Sequence, residues 1–333
     1  MINPFPKILR HVWLLLVFCV ASAFGADAPR AIIIAHRGAS GYLPEHTLPG
    51  KALAYAMGAD YLEQDIVLSK DGVPVVVHDI QVDTVTDVAR RFPDRQRKDG
   101  RFYAIDFTLG ELKQLKVTER FNPKTGKAVY ARRFPVGQSA FEISTLEEEL
   151  QFIQGLNKSA GRNVGIYPEL KQPDWHRQQG QDISKIVLPI LARYGYRTKA
   201  DNFYLQCFDF DELKRLRAEL GFEGKLILLL EKKTERVRLE EIAKVADGIG
   251  PSLDGIVAGK TDGVVRFTDL VNNAHELKLA VHPYTFRADD LPRYASSLEE
   301  LFEIFILRAG VNGVFTDFPD RGANFVRSHS AQK

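Results

Sequence analysis

The sequence is poor in cysteine, with two in 333 residues, Cys19 and Cys207. This scarcity excludes a framework of several disulfides, so the fold must be stabilised by a large hydrophobic core. The chain also lacks an excess of charge of either sign, because 45 basic and 43 acidic residues leave a formal net charge of +2. The balance predicts that nucleic acid is not a partner.

The first 25 residues differ in composition from the rest. A basic start around Lys7 precedes an almost wholly apolar run over residues 12–20, and small residues follow at 21–23. This order is typical of a secretory signal peptide, so we predict a signal over residues 1–25 and a mature domain over residues 26–333. We therefore expect an exported protein, located in the periplasm if the source is a double-membrane bacterium.

Two alternatives to cleavage stay open. The apolar run is shorter than the roughly 20 residues that a membrane span needs, so an uncleaved anchor is disfavoured and no stable span is expected after processing. Lipidation at Cys19 is disfavoured because the bulky Phe18 precedes it. Cys207 lies in the apolar run 203–208, so we expect a buried, unreactive thiol.

Short apolar runs alternate with amphipathic segments along the remaining chain. The runs cover residues 32–36, 61–68, 73–78, 164–170, 202–208, 225–231, 247–251, 279–286 and 313–316. Strands that alternate with helices predict a parallel sheet covered by helices. About eight such units in roughly 300 residues predict an irregular (β/α)8 TIM barrel.

Nine runs compete for eight strand positions. Residues 247–251 are short and interrupted by glycine and proline, so we predict a loop there. The run 73–78 is predicted as the third strand, with residues 66–70 returning in extended form and Asp71-Gly72 forming a tight turn.

A polar insertion over about residues 80–144 follows. It is either a solvated excursion or a lid over the catalytic face, where βα loops lie.

Charged side chains recur at the ends of four successive predicted strands. They are His36-Arg37, Glu63 and Asp65, His78-Asp79, and Glu169 and Lys171. Residues two apart on a strand share a face, so each acidic or ionic pair points to one side. Taken singly, each group has an ordinary explanation as a turn, an exposed edge or a salt bridge. Their coincidence predicts a site at the carboxyl ends of the strands.

Three converging carboxylates, from Glu63, Asp65 and Glu169, need a positive partner when buried. An all-oxygen set of this kind suits one divalent cation, Ca²⁺ or Mg²⁺, and no zinc-type cluster of His and Cys is present. Two histidines, an arginine and a lysine beside such a cation fit attack on phosphorus, with the imidazoles as general base and acid.

Several motifs resemble, in order, those of the glycerophosphodiester phosphodiesterase family. They are His36-Arg37-Gly38, Pro44-Glu45-His46-Thr47, Glu63-Gln64-Asp65, His78-Asp79, Glu169-Leu170-Lys171 and Thr316-Asp317-Phe318-Pro319. Residues 247–250 and 281–285 resemble the periplasmic bacterial branch. The resemblance covers about residues 31–328 and implies a TIM barrel, a divalent cation (calcium in that branch), and hydrolysis of deacylated phospholipids to glycerol 3-phosphate and an alcohol.

The resemblance also implies roles for individual residues. Glu63, Asp65 and Glu169 would bind the metal, His36 and His78 would be the acid–base pair, and Arg37 and Lys171 would hold the phosphate. Glu45 is expected to support the site, and Phe208 and Tyr284 are expected to form an apolar wall for the glycerol or simple core contacts.

One departure from the family pattern is His46, which stands where the family usually has asparagine. It is expected to pack or cap locally, or else to titrate as a third imidazole. Thr47 is expected to be the N-cap of the following helix.

The substrate class suggests a mechanism, because a glycerophosphodiester carries a hydroxyl beside its phosphoester. Attack by that hydroxyl would be intramolecular and would give a cyclic phosphate, which water would then open. The alternatives are a phospholipase-type diesterase acting on intact lipids and a catalytically silent binding protein. A homodimer is compatible with the sequence, as is a monomer.

Overall fold

The computed structural model describes residue 1 and residues 30–138, 140–231 and 238–330. The predicted signal peptide, apart from Met1, lies outside the described residues. Among the helices of the described ranges, none is both long enough and apolar enough to cross a membrane.

Eleven strands occur in the described residues. They are β1 (Ile32–Ala35), β2 (Tyr61–Leu68), β3 (Pro74–Val76), β4 (Gly165–Leu170), β5 (Leu205–Cys207), β6 (Leu226–Leu230), β7 (Gly248–Pro251), β8 (Val257–Thr261), β9 (Val264–Phe267), β10 (Ala280–Val281) and β11 (Gly313–Thr316). Eight of them pair in parallel in the order β10-β7-β6-β5-β4-β2-β1-β11. Hydrogen bonds from the N–H groups of Asn312 and Phe315 to the carbonyls of Val281 and Pro283 link the two ends. The predicted TIM barrel is confirmed.

Helices cover the barrel from outside. In the described residues they are α1 (Leu48–Ala56), α2 (Val88–Arg91), α3 (Leu109–Leu112), α4 (Leu146–Ala160), α5 (Pro173–Gln178), α6 (Ile183–Arg193), α7 (Phe210–Ala218), α8 (Leu239–Ala243), α9 (Leu253–Ile256), α10 (Leu270–Glu276), α11 (Leu298–Phe302) and α12 (Pro319–Ser330). Short 3-10 turns lie at Pro93–Arg95 and Ala104–Asp106, and a π-helical turn follows α11 at Glu303–Arg308. Thr47 caps α1 as predicted, since its hydroxyl accepts a hydrogen bond from the Gly50 N–H.

The loop prediction for residues 247–251 is wrong, because Gly248–Pro251 forms the barrel strand β7. Its glycines pack closely against the neighbouring strands. A Cβ on Gly248 would lie 2.6 Å from the Ala280 carbonyl oxygen, and one on Gly250 would lie 2.6 Å from a Leu229 methyl carbon. The sequence of this segment is typical of a turn, but the segment is a strand. The neighbouring strands pack closely against it.

The prediction for the third strand is also wrong. The strand β2 continues without reversal through Leu68, and β3 pairs antiparallel with residues 66–68 outside the barrel. The predicted turn at Asp71-Gly72 is present, with Gly72 at a φ of +76°. This hairpin extends β2 beyond the barrel and brings the chain back to His78.

The insertion after β3 has its own hydrophobic core, which the interpretation as a solvated excursion did not anticipate. Val82, Val88, Phe107 and Leu112 pack there with strand residues of the hairpin. These side chains are buried, so the insertion is a packed layer attached to the hairpin. The barrel's main core lies between its strands and the outer helices.

Candidate active site

Strand register brings the three predicted acidic residues together. Asp65 on β2 is opposite Glu169 on β4, and Glu169 is opposite Gln206 on β5. Glu63 shares a face with Asp65 because it lies two residues earlier on the same strand. One ligand atom from each carboxylate lies within 4.8 Å of those of the others, and all three residues are buried.

The charges of this acidic triad are poorly balanced by protein alone. Burial and the charge of Asp65 raise the pKa of Glu63 well above its usual value. Burial also raises the pKa of Glu169 to about 8, although the ammonium of Lys171 opposes the rise. Burial would raise the pKa of Asp65 as well, but Lys171 and His78 outweigh it and hold that pKa well below the usual range.

One oxygen of the triad is left without a hydrogen bond. Among the described residues, Oδ1 of Asp65 is buried and has no hydrogen-bond partner. A buried carboxylate oxygen without a donor is costly unless a cation binds it. Three crowded oxygen donors and this orphaned atom fit a hard divalent cation, which takes carboxylate oxygens.

Both predicted catalytic histidines are held by a carboxylate through Nδ1. Nδ1 of His36 lies 2.5 Å from Oδ1 of Asp317, and Nδ1 of His78 lies 2.6 Å from Oδ1 of Asp79. Nε2 of His36 is 4.0 Å from the nearest oxygen of Glu63. Burial, together with the charge of Arg37, lowers the pKa of His36 to about 4, so its imidazole is neutral at pH 7.

Arg37 and Lys171 lie beside the triad, as the sequence predicts. The backbone N–H of Arg37 donates to Glu63 at 2.7 Å, and its guanidinium lies 3.0 Å from Glu45. Nζ of Lys171 lies 2.7 Å from Oε1 of Glu169 and 3.7 Å from Oδ1 of Asp65. Both cations therefore contact the carboxylates where an anionic substrate would meet them.

The two histidines, the acidic triad and Arg37 line a cavity of about 670 Å³ at the carboxyl ends of the strands. Phe208 and Tyr284 form one wall of it, with ring centroids 5.9 Å apart and nearly perpendicular planes. The same two rings also face a second cavity of about 680 Å³, which Lys171 and Trp175 line. The two cavities thus meet at the acidic triad's Glu169 and at these rings.

Sequence reasoning missed several residues of the site. Asp317 belongs to the motif Thr316-Asp317-Phe318-Pro319 and directly follows β11. The expectation that functional groups lie at the carboxyl ends of barrel strands would therefore have identified it. Gln206 lies at the register level of Glu169, and its amide donates to Glu63 at 3.0 Å. Arg120 comes from the insertion, where no local pattern marks it, and it donates to both Glu45 and Asp79 at 2.6 Å.

The barrel, the cavity at its carboxyl end and the paired histidines are the features of a TIM-barrel phosphodiesterase. Residues 36–321 match the model of the Glycerophosphoryl diester phosphodiesterase family. The chain belongs to this family. This confirms the resemblance found in the sequence.

Relatives of known name support the assignment. The chain is 47% identical over 327 residues to a glycerophosphodiester phosphodiesterase of Haemophilus influenzae, covering 89% of this chain and 90% of that one. It is 41% identical over 336 residues to one of Treponema pallidum, covering 92% and 94% of the two chains.

Solved structures share the fold at lower identity. A crystal structure from Silicibacter pomeroyi aligns with a TM-score of 0.68 and 24% identity, over 91% of this chain and 95% of that one. A phosphodiesterase of Oleispira antarctica, solved in complex with the product sn-glycerol-3-phosphate, aligns with a TM-score of 0.61 and 21% identity, over 90% and 97%.

Proposed function

We propose that this protein hydrolyses glycerophosphodiesters to sn-glycerol 3-phosphate and an alcohol with the help of one divalent cation. The observation that carries the proposal is the convergence of two carboxylate-held imidazoles and three buried acids on one cavity. The names of the relatives from Haemophilus influenzae and Treponema pallidum support this reaction. The sn-glycerol-3-phosphate bound to the Oleispira antarctica phosphodiesterase supports the same product.

In this proposal Glu63, Asp65 and Glu169 hold the cation. The cation would supply positive charge to the phosphate oxygens as negative charge develops on them. Arg37 and Lys171 would contact the same phosphate, because the charged groups of both lie 3.7 Å from an oxygen of Asp65. When substrate binds, Arg37 and Lys171 would each replace part of their contact with carboxylates by contact with the substrate phosphate.

The histidines are suited to proton transfer by their hydrogen bonds. In each, the Nδ1–H group donates a hydrogen bond to a carboxylate, which leaves Nε2 as the nitrogen available to a ligand. His36 lines the 670 Å³ cavity, whereas His78 lines both cavities. We assign one to deprotonate the attacking oxygen and the other to protonate the leaving alcohol.

The attacking oxygen in this proposal is the hydroxyl on the carbon next to the phosphoester. Its attack forms a cyclic phosphate and releases the alcohol, and water then opens the ring with the histidines in exchanged roles. A substrate that lacks this hydroxyl should be cleaved at least about 10³-fold more slowly, because attack then loses its intramolecular advantage. Equal rates for the two substrates would contradict the cyclic intermediate.

Calcium is the cation we assign first. Three acidic oxygens on neighbouring strands do not impose the strict octahedral geometry that Mg²⁺ demands, whereas Ca²⁺ tolerates irregular carboxylate sets. Calorimetric titration of the chelator-treated protein with each ion tests the choice. Tighter binding of Mg²⁺ than of Ca²⁺ would reverse it.

The decisive experiment uses glycerophosphocholine and measures sn-glycerol 3-phosphate release. We expect product with the untreated protein, and losses of about 10²-fold or more after chelation or in His36→Ala and His78→Ala. His275→Ala is a matched control, because His275 is exposed and bonds to Asn312. Release of glycerol 3-phosphate that survives both chelation and His36→Ala would overturn the proposal.

We also propose that the chain is exported with residues 1–25 as a cleaved signal. The basic start, the apolar run and the small residues support this. Amino-terminal sequencing of the protein from a periplasmic fraction of a double-membrane host should begin at Ala26. Recovery of the intact Met1 end with membranes would show an anchor instead.

A further inference from the structure

A fully buried lysine lies directly behind the acidic triad. Lys51 on α1 has no exposed surface. Its ammonium donates to the backbone carbonyl of Glu63 and forms an ion pair with Glu149 on α4, at 3.2 Å. Removing an ammonium group from water costs free energy. A specific role would explain why Lys51 is buried against the backbone of the strand that carries the proposed metal ligands.

The contact fixes the part of β2 that carries the acids. Glu63 and Asp65 point to one face of the strand, and the Glu63 carbonyl belongs to the peptide between them. By bonding to that carbonyl, Lys51 ties the backbone between two carboxylates to helix α1. The ion pair with Glu149 ties the same ammonium to helix α4.

Lys51 also contacts His46, the residue that departs from the family pattern. Nζ of Lys51 lies 3.4 Å from Nδ1 of His46, and Nε2 of His46 lies 2.7 Å from Oδ2 of Asp65. An ammonium can only donate, so Nδ1 of His46 must accept and Nε2 must carry the proton. Nε2 therefore donates to Oδ2 of Asp65, which leaves Oδ1 as the oxygen without a hydrogen bond.

We propose that Lys51 and His46 are positioning residues that prepare Asp65 for the cation. Lys51 sets the tautomer of His46, His46 occupies one oxygen of Asp65, and the other oxygen is presented to the metal. The inference rests on the proposed cation site and adds residues that do not touch the ion. Outer partners of this kind typically change metal affinity 10–100-fold when removed.

The first measurement is the Ca²⁺ dissociation constant by calorimetry on the full chain. Lys51→Met and His46→Phe should each weaken binding 10–100-fold, because His46→Phe removes the donor to Asp65 and Lys51→Met removes the donor that sets the tautomer of His46. His46→Asn should stay within about threefold of the wild type, since an amide also donates to a carboxylate. Asparagine also tolerates the φ of +58° found at this position.

Buried ion pairs also contribute to stability, so a matched control is needed. Glu149 pairs with Lys51 and accepts a hydrogen bond from Ser144. Glu212 is equally buried, pairs with Arg215 and accepts from a serine in the same way. Glu149→Gln should weaken Ca²⁺ binding, whereas Glu212→Gln should lower the melting temperature without changing the Ca²⁺ dissociation constant.

The second measurement is the tautomer of His46 by ¹⁵N NMR of the imidazole rings. The wild type should show Nε2 protonated and Nδ1 unprotonated, and Lys51→Met should change the Nδ1 shift even where the protein stays folded. A structural role alone would leave this signature unchanged. Folding of each variant is checked by circular dichroism without metal.

The possible outcomes distinguish a failure of the positioning role from a failure of the proposed cation site. If the wild type binds Ca²⁺ and Lys51→Met binds it equally or more tightly, the positioning role is overturned and the proposed function stands. If the wild type binds neither Ca²⁺ nor Mg²⁺, the cation in the proposed function is overturned, and this inference fails with it. If Nδ1 of His46 carries the proton in the wild type, the tautomer argument is wrong.

Discussion

Nδ1 of His36 lies 2.5 Å from Oδ1 of Asp317, a carboxylate that is almost wholly buried. The second oxygen of Asp317 accepts hydrogen bonds from Arg133 at 2.6 Å and Arg287 at 2.8 Å. Asp317 is thus fixed from three sides and holds the His36 ring in one tautomer and one orientation. The arrangement links the first strand, the last strand and the insertion in one chain of contacts.

Replacing Asp317 should impair catalysis more than binding. We expect Asp317→Asn to lower kcat about 10²-fold to 10⁴-fold with little change in KM, because Nε2 of His36 loses its fixed protonation state. The control is Asp289→Asn, since Asp289 shares Arg133 but does not contact His36. Steady-state kinetics on glycerophosphocholine compare them, and equal losses in both variants would contradict the relation.

The insertion should be required for activity through Arg120. Removing its guanidinium takes one charged partner from Glu45, which also pairs with Arg37, and one from Asp79, which also holds His78. Arg37 and His78 are then held less firmly, so Arg120→Met should lower kcat/KM at least about tenfold. Arg101→Met is the matched control, because Arg101 pairs with Asp83 within the same insertion. Normal kcat/KM in Arg120→Met would show that the insertion does not organise the site.

Cation binding should stabilise the fold. At a Ca²⁺ concentration 100 times the dissociation constant, binding to the folded state alone contributes about 2.7 kcal/mol. We expect the melting temperature to rise with Ca²⁺ in the wild type and to stay constant in Glu169→Gln, which has lost a ligand charge. Differential scanning calorimetry measures both, and an equal rise in the variant would place the ion elsewhere.

Stability should fall in mild acid, in part through His282. This ring is buried, and its Nδ1 lies 2.8 Å from the hydroxyl oxygen of Tyr167. Burial lowers the pKa of His282 to about 3. Between about pH 6.5 and pH 3 the unfolded chain binds a proton at this position that the folded chain does not. The free energy of unfolding therefore falls by about 1.4 kcal/mol per pH unit as pH decreases through that window.

The variant His282→Gln isolates this contribution. Urea unfolding at several pH values should give a shallower pH dependence in the variant than in the wild type, by up to that slope. Other buried histidines contribute to both proteins and cancel in the difference. Parallel pH profiles for the two proteins would show that His282 is protonated in the fold.

Most of the predicted site residues came from one rule, that parallel strands carry functional groups at their carboxyl ends, whereas Glu45 came from the family motif. The rule located His36, Glu63, Asp65 and Glu169 because His36 directly follows a barrel strand and the three acids lie within apolar runs that form barrel strands. It also led to His78, although β3 is not a barrel strand, because the hairpin returns the chain to the site.

The rest depended on tertiary contacts that local sequence does not encode. Arg120 reaches the site from an irregular insertion whose path is set by packing. The strand Gly248–Pro251 was predicted as a loop because local propensity opposes glycine and proline in strands, whereas the backbone carbonyl of Ala280 leaves no room for a Cβ on Gly248. The contacts around His46 depend on how α1 and α4 pack against the barrel, and local sequence does not encode that packing.

The hairpin of β2 and β3 belongs to two cores at once. Ile66 and Leu68 pack into the barrel core, whereas Val67 and Val75 pack into the core of the insertion. The insertion is therefore not a transferable module. A chimera that exchanges the insertion between family members would have to carry the hairpin with it, and a deletion at its ends would expose one side of the strand that bears Glu63 and Asp65.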